Sequence, residues 1–121
     1  MNYNLIESTE KLFAEALDTM KKKNADYAGD NTSMRNFELS ADLAGIRMSK
    51  GILVRLMDKM TRIGNLMERP PEAVEESIFD TIQDAINYNA ILLHALRIEA
   101  EQKNTILASS LMADQKPGLR P

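Results

Sequence analysis

Cysteine is absent from the 121 residues. Its absence excludes a disulfide framework and any thiolate metal site, and it fits a chain kept in a reducing interior. A basic stripe is absent too: 15 Lys and Arg are outnumbered by 18 Asp and Glu, both signs are spread along the chain, and the net charge is −3. Such a chain has no means of neutralising a run of phosphates on a duplex, so polymeric DNA or RNA is not an expected partner. No window approaches the roughly 18 unbroken apolar residues that a membrane span requires, and there is no apolar targeting segment. The expectation is a cytoplasmic protein without membrane contact. A phosphate-binding glycine loop is also missing, because Gly29, Gly45, Gly51 and Gly64 are isolated from one another. No Ser or Thr has the accompanying His and Asp of nucleophilic catalysis. There is no internal repeat, and no segment reads as a strand.

What the chain does have is helical periodicity. Leu5, Leu12, Phe13, Ala16, Leu17 and Met20 recur at steps of three and four, which predicts a first helix over 4–23. Asn4 suits its N-cap, and Lys21, Lys22 and Lys23 suit its C-terminus. The run "ELSADLAGI" predicts a short helix stopped near Gly45. Ile52, Leu53, Leu56, Met60, Ile63 and Met67 predict a second long helix over 49–67, with those residues as its core stripe. Pro70 and Pro71 then interrupt the pattern and suit the start of another helix. From Val74 the periodicity resumes through Ile78, Ile82, Ala85, Asn89, Leu92 and Leu96, predicting a third long helix that runs past Gln102.

Within that last helix "AILLHAL" is apolar on almost every side, and such a helix must be covered on every side. Three long helices from one short chain cannot do this. A second subunit is therefore expected, giving an all-α oligomeric bundle, dimeric or higher, of three long helices and a short one per chain. Residues 1–112 form its single domain, and the unpatterned "ADQKPGLRP" at 113–121 is a flexible tail. The eight Met residues read mostly as core, and His94, among leucines, as an interface imidazole.

One stretch resists the helical reading. "KNADYAGDNTSMRNF", residues 23–37, is dense in Asn, Asp and Gly yet carries Tyr27 and Phe37. A plain connector has little use for buried aromatics.

Two charged edges could carry chemistry. Glu76, Asp80, Asp84 and Asn87 fall at steps of four, four and three on the last helix, along one edge. Successive carboxylates there are about 6 Å apart, suited to converging on a hard cation such as magnesium or manganese. The same residues also read as a solvated face. Like charges at this spacing repel by a few tenths of a kcal/mol. On the middle helix Arg55, Asp58, Lys59 and Arg62 form a net positive patch opposite its core stripe. That patch is either an exposed face with internal ion pairs or a phosphate clamp.

Taken together, "KNADYAGDNTSMRNF", "GILVRLMDKMTRI" and "EESIFDTIQDAINYNAILL" resemble the phage and prophage nucleotide modification associated domain. That group is similar to the all-α nucleoside triphosphate pyrophosphohydrolases of the MazG and dimeric dUTPase kind. The likeness spans roughly residues 10–96. It rests on a Lys-Asn-x-Asp-Tyr segment, an Asp-Lys on the middle helix and an Asp-Thr-x-x-Asp-x-x-Asn-Tyr run on the last one. The resemblance implies an oligomeric helical fold, magnesium held by acidic helices, and cleavage of a nucleoside triphosphate to monophosphate and pyrophosphate.

Carried onto this chain, the resemblance makes Glu76, Asp80 and Asp84 the catalytic, metal-holding carboxylates, with Asp58 a further ligand. Lys59, Arg62, Arg55 and Lys23 would meet phosphates. Asp26, Tyr27, Asn36, Phe37 and Asn87 would enclose the base and sugar. The chain departs from the hydrolases in one respect, since their Glu-Glu-x-x-Glu cluster is represented on the middle helix by Asp58 alone. Two functions follow as expectations: a magnesium-dependent nucleotide pyrophosphohydrolase, or a protein that binds and sequesters a nucleotide without cutting it.

Overall fold

A computed structural model describes residues 4–28 and 34–114, with the side chains of residues 25–28, 71–76 and 114 outside that description. The fold is all-α, with helices α1 (Leu5–Ala28), α2 (Arg35–Ala44), α3 (Met48–Met67) and α4 (Pro71–Asp114), and no strand among the described residues. Most boundaries have a local cause. Asn4 caps α1, its Oδ1 accepting the Glu7 N–H at 3.1 Å. Gly45 ends α2 with φ +70°, a left-handed conformation open to glycine. From there the N–H groups of Gly45 and Ile46 reach back to the carbonyls of Asp42 and Ala41 at 3.2 and 3.0 Å. Pro70 cannot continue α3, and Pro71 opens α4, where its missing N–H costs nothing.

The stretch 23–37 is mostly helix, contrary to expectation. Residues Lys23 to Ala28 complete α1, Met34 is the N-cap of α2, and Arg35, Asn36 and Phe37 are its first turn. The reason is that neither Gly nor Pro interrupts the chain before Gly29. Residues 29–33 lie outside the described ones. The lysines expected at a helix terminus are consequently inside α1. Lys22 pairs with Asp18 at 3.1 Å, one turn back, and Lys23 reaches another helix. At the other end α4 takes in Ala113 and Asp114 from the expected tail, and residues 115–121 are not described.

Helices α3 and α4 run antiparallel, since Ser49 meets Glu99 near one end and Arg62 meets Thr81 near the other. The core lies between α2, α3 and the middle of α4. Met34, Ala41, Met48, Ile52 and Ala95 form it, surrounded by Phe37, Tyr88, Ile91, Leu92 and Ile98, and Ile52 is fully buried. Helix α1 packs elsewhere on α4. Ala16 is buried there, and its carbonyl accepts the Asn87 Nδ2 at 2.9 Å, while Gln83 Nε2 donates to Glu15 at 3.2 Å. Glu15, Ala16 and Lys23 all reach the turn from Gln83 to Asn87, so α1 crosses α4 rather than following it.

The rotation of α3 differs from the expected one. Met48, Ile52, Leu56 and Leu66 are buried and Lys59 is partly so, which turns the 59–62 edge toward α4. Met60 and Met67, expected in the core, are exposed together with Val54 and Met57. Apolar side chains occupy more of the α3 circumference than one neighbour can cover, so the face that packs is chosen by its contacts with α4. On α4, Ala95 is buried and Ile91 and Leu92 are half-buried, whereas Leu93 and Leu96 are exposed.

Candidate functional site

The cationic edge of α3 meets the acidic edge of α4 at Asp84. Lys59 Nζ of α3 lies 3.3 Å from its Oδ2, and Lys23 Nζ of α1 lies 3.5 Å from its Oδ1. One carboxylate thus draws ammonium groups from two different helices. About one turn earlier on α4, the Thr81 hydroxyl donates to the Ser77 carbonyl at 2.6 Å. With its proton committed there, Thr81 Oγ accepts the Arg62 Nε–H at 3.3 Å, which orients the guanidinium. Thr81 itself is buried.

Arg62 also lines a cleft of about 370 Å³. Asp58, Thr61, Asn65 and Leu66 complete its α3 wall, Arg69 comes from the link between α3 and α4, and Ser77 comes from α4. The volume is in the range of small-molecule sites. Residues 58, 61, 62 and 65 recur at helical spacing, so one edge of α3 presents a guanidinium, a hydroxyl, an amide and one carboxylate, and Arg69 adds a second guanidinium just past the end of the helix. Arginine forks and neutral donors of this kind complement an oxyanion.

The remaining expected site residues divide into three groups. Asp80 is exposed on α4, one turn before Asp84. Glu76, Asp26 and Tyr27 lie on α4 and α1, but their side chains fall outside the described residues. Asn87, Phe37 and Arg55 have structural partners. Asn87 holds α1 through the Ala16 carbonyl. The Arg55 guanidinium lies 5.1 Å over the Phe37 ring, and Tyr88 meets that ring edge-on at 6.4 Å between centroids. A ring covered in this way and packed on the core has little face left for a base. Asn36, like Asp80, is exposed, on the first turn of α2.

Of the expected metal ligands, Asp58, Asp80 and Asp84 have described side chains, and Glu76 lies outside them. Among the described residues no three acidic or histidine side chains gather closely enough to hold a metal ion. Asp84 faces two ammonium groups, and Asp58 belongs to the cleft wall beside Arg62. Divalent cations require several oxygens at one point, and the described side chains supply no such set.

Several contributors were not singled out from the sequence. Thr61 and Asn65 share the edge of Asp58 and Arg62, so helical spacing alone could have included them, whereas Arg69 lies past the end of the helix. Ser77 and Thr81 carry no such signal, because their part depends on where α3 lands. Replacing Phe37 by Leu is expected to lower stability by about 1 kcal/mol through loss of the Arg55 and Tyr88 contacts. A base-stacking role for Phe37 would instead show as a loss of nucleotide affinity with unchanged stability. Chemical denaturation beside calorimetric titration checks this. No protein-family model, curated protein or solved structure matches the chain.

Proposed function

We propose that this chain is a homo-oligomeric nucleotide-binding protein that grips its ligand by the phosphates between the cationic edge of α3 and the adjoining edge of α4. The observation that carries the reading is the convergence of Lys23 and Lys59 on Asp84, with Arg62 about a turn from Lys59 and lining the cleft. Asp84 pre-positions both ammonium groups, and phosphate oxygens exchange for its carboxylate. Arg62 and Arg69 extend the positive path into the cleft, where Thr61, Asn65 and Ser77 offer uncharged donors. The resemblance to nucleotide modification associated domains supports a nucleotide, possessing both phosphates and a base, over a bare anion. The large exposed apolar surface supports the oligomer.

Magnesium-dependent cleavage of a nucleoside triphosphate is the second reading. Its support is the placement of Asp80 and Asp84 one turn apart beside Lys59. One experiment separates the two: titrating nucleoside triphosphates into wild type and Asp84→Asn, with EDTA, while assaying pyrophosphate release with magnesium. The binding reading expects affinity to persist in EDTA and to be unchanged or about fivefold tighter in Asp84→Asn, since two ammonium groups lose their internal partner. Pyrophosphate release that disappears in Asp84→Asn would establish the hydrolase instead. Absence of binding to every triphosphate would overturn both.

A further inference from the structure

The described wall of the cleft is polar almost throughout. Leu66 is its one apolar residue, and it is only 6% exposed. A base binds through a flat aromatic or apolar face, and this wall offers none. Hydroxyl, amide and guanidinium groups from Thr61, Ser77, Asn65, Arg62 and Arg69 suit a ligand that hydrogen-bonds on every side. Asp58 stands out among them as the only anion of the described lining. No ion pair among the described residues includes it, although Arg62 follows one turn along α3. The Arg62 Nε–H is held instead by the Thr81 hydroxyl of α4, at 3.3 Å. An exposed carboxylate thus remains on the cleft wall with its acceptor oxygens open. It accepts hydrogen bonds and repels phosphate, so the ligand group lying against it must be a donor.

We infer that the cleft holds the sugar of the nucleotide, with the Asp58 carboxylate accepting hydrogen bonds from ribose hydroxyls, so that the ligand is a ribonucleotide rather than a deoxyribonucleotide. The inference rests on the proposed nucleotide reading and assigns the part of the ligand that the lysines do not hold. Asp58 directly precedes Lys59 and stands about a quarter turn around α3 from it. Phosphates gathered by Lys59 and Lys23 lie toward α4, and the sugar they carry enters the cleft one side chain away. Arg62 borders both, and its remaining guanidinium nitrogens reach the phosphate that joins the sugar. Thr61 and Asn65 share the edge of Asp58 at steps of three and four, and the Asn65 amide, which donates and accepts, serves the same hydroxyls. Arg69 closes the far end, donating to sugar oxygens. The 2′ and 3′ hydroxyls of ribose are neighbouring donors, and one carboxylate has two oxygens to receive them. A carboxylate on the 2′ hydroxyl distinguishes ribose from deoxyribose, because the sugar lacking that hydroxyl leaves the acceptor unsatisfied. The exocyclic amine of a base is the rival donor, but a flat ring carries it, and the described wall has no face for that ring.

The test compares two sugars on one base, using the full chain. Calorimetric titration in EDTA with adenosine triphosphate and its 2′-deoxy form should show the ribonucleotide bound about tenfold more tightly, the worth of one hydrogen bond to a charged group. In Asp58→Ala the ratio should fall to within about twofold, mainly through loss of ribonucleotide affinity. In Asp58→Asn, which keeps an acceptor without the charge, it should be about threefold. Asp58 is exposed, so the circular dichroism melt of both variants should match that of the wild type. Lys59→Ala should weaken both sugars alike and leave the ratio unchanged, because its ammonium meets phosphate. Equal affinity of the wild type for the two sugars, or a ratio that survives Asp58→Ala, would overturn the inference and leave the phosphate grip standing. Inosine triphosphate checks the rival donor: weaker binding than adenosine triphosphate in the wild type but not in Asp58→Ala would assign Asp58 to the base and equally overturn it. Absence of binding to every triphosphate would overturn the proposed function and this inference with it, so the two fail by different signals.

Discussion

Replacing Lys59 and Arg62 together by alanine is expected to lower nucleoside triphosphate affinity by about a hundredfold or more. A hydrogen bond to a charged group is worth about 1.5–3 kcal/mol, and each factor of ten in affinity is about 1.4 kcal/mol. Losing one such contact from each side chain reaches two orders of magnitude at the lower bound. The fold should tolerate the change. Lys59 is 31% exposed and shares Asp84 with Lys23, so its pair contributes no more than about 1 kcal/mol. Thr81 keeps its bond to the Ser77 carbonyl when Arg62 is gone.

Arg55→Ala is the matched control on the same helix. Its guanidinium covers Phe37, so it should cost stability of about 1 kcal/mol and change affinity by less than about threefold. Calorimetric titration at two salt concentrations completes the measurement, since a phosphate grip weakens as salt screens it. Retained affinity in the Lys59, Arg62 double variant would remove the α3 edge from the site.

Glu99→Ala is expected to have the largest effect on stability, about 3 kcal/mol, or a fall in Tm on the order of 10 °C. The Glu99 carboxylate accepts the Ser49 N–H at 3.0 Å and the Ser49 hydroxyl at 2.7 Å, and Ser49 is only 4% exposed. Alanine would leave both donors buried without an acceptor. Helix α3 has no remedy of its own, because its N-cap, Arg47, makes no side-chain cap and its first turn holds no acidic residue. Glu99 therefore supplies from α4 the negative charge that a helix N-terminus favours. Glu99→Gln keeps an acceptor without the charge and should lose about half as much. Both variants are to be melted at one protein concentration, because association shifts Tm. A loss below about 0.5 kcal/mol for Glu99→Ala would mean that water serves Ser49 equally well.

This contact also shows where a reading of the sequence runs out. Ser49 and Glu99 stand fifty residues apart, and neither carries a local signal of the other. The same holds for Lys23, Lys59 and Asp84. Lys59 and Asp84 stand on charged edges and Lys23 enters through the resemblance, but only packing could say that all three meet. Phe37 and Arg55 show the reverse: both were selected for a ligand, and they face one another and Tyr88. An aromatic beside a polar segment looks the same in sequence whether it stacks on a base or closes the edge of a core.

The helical class, the stop at Gly45, the Asn4 cap and the break before Pro71 all follow from the sequence alone. These depend on backbone hydrogen bonds and dihedral preferences within a few residues. Tertiary structure alone decided which way α3 turns, setting Lys59 and Arg62 beside α4 and leaving Met57 and Met60 at the surface. Apolar side chains occupy most of that helix's circumference, so its own periodicity leaves the rotation undetermined. The choice passes to the surface of α4 against which it packs.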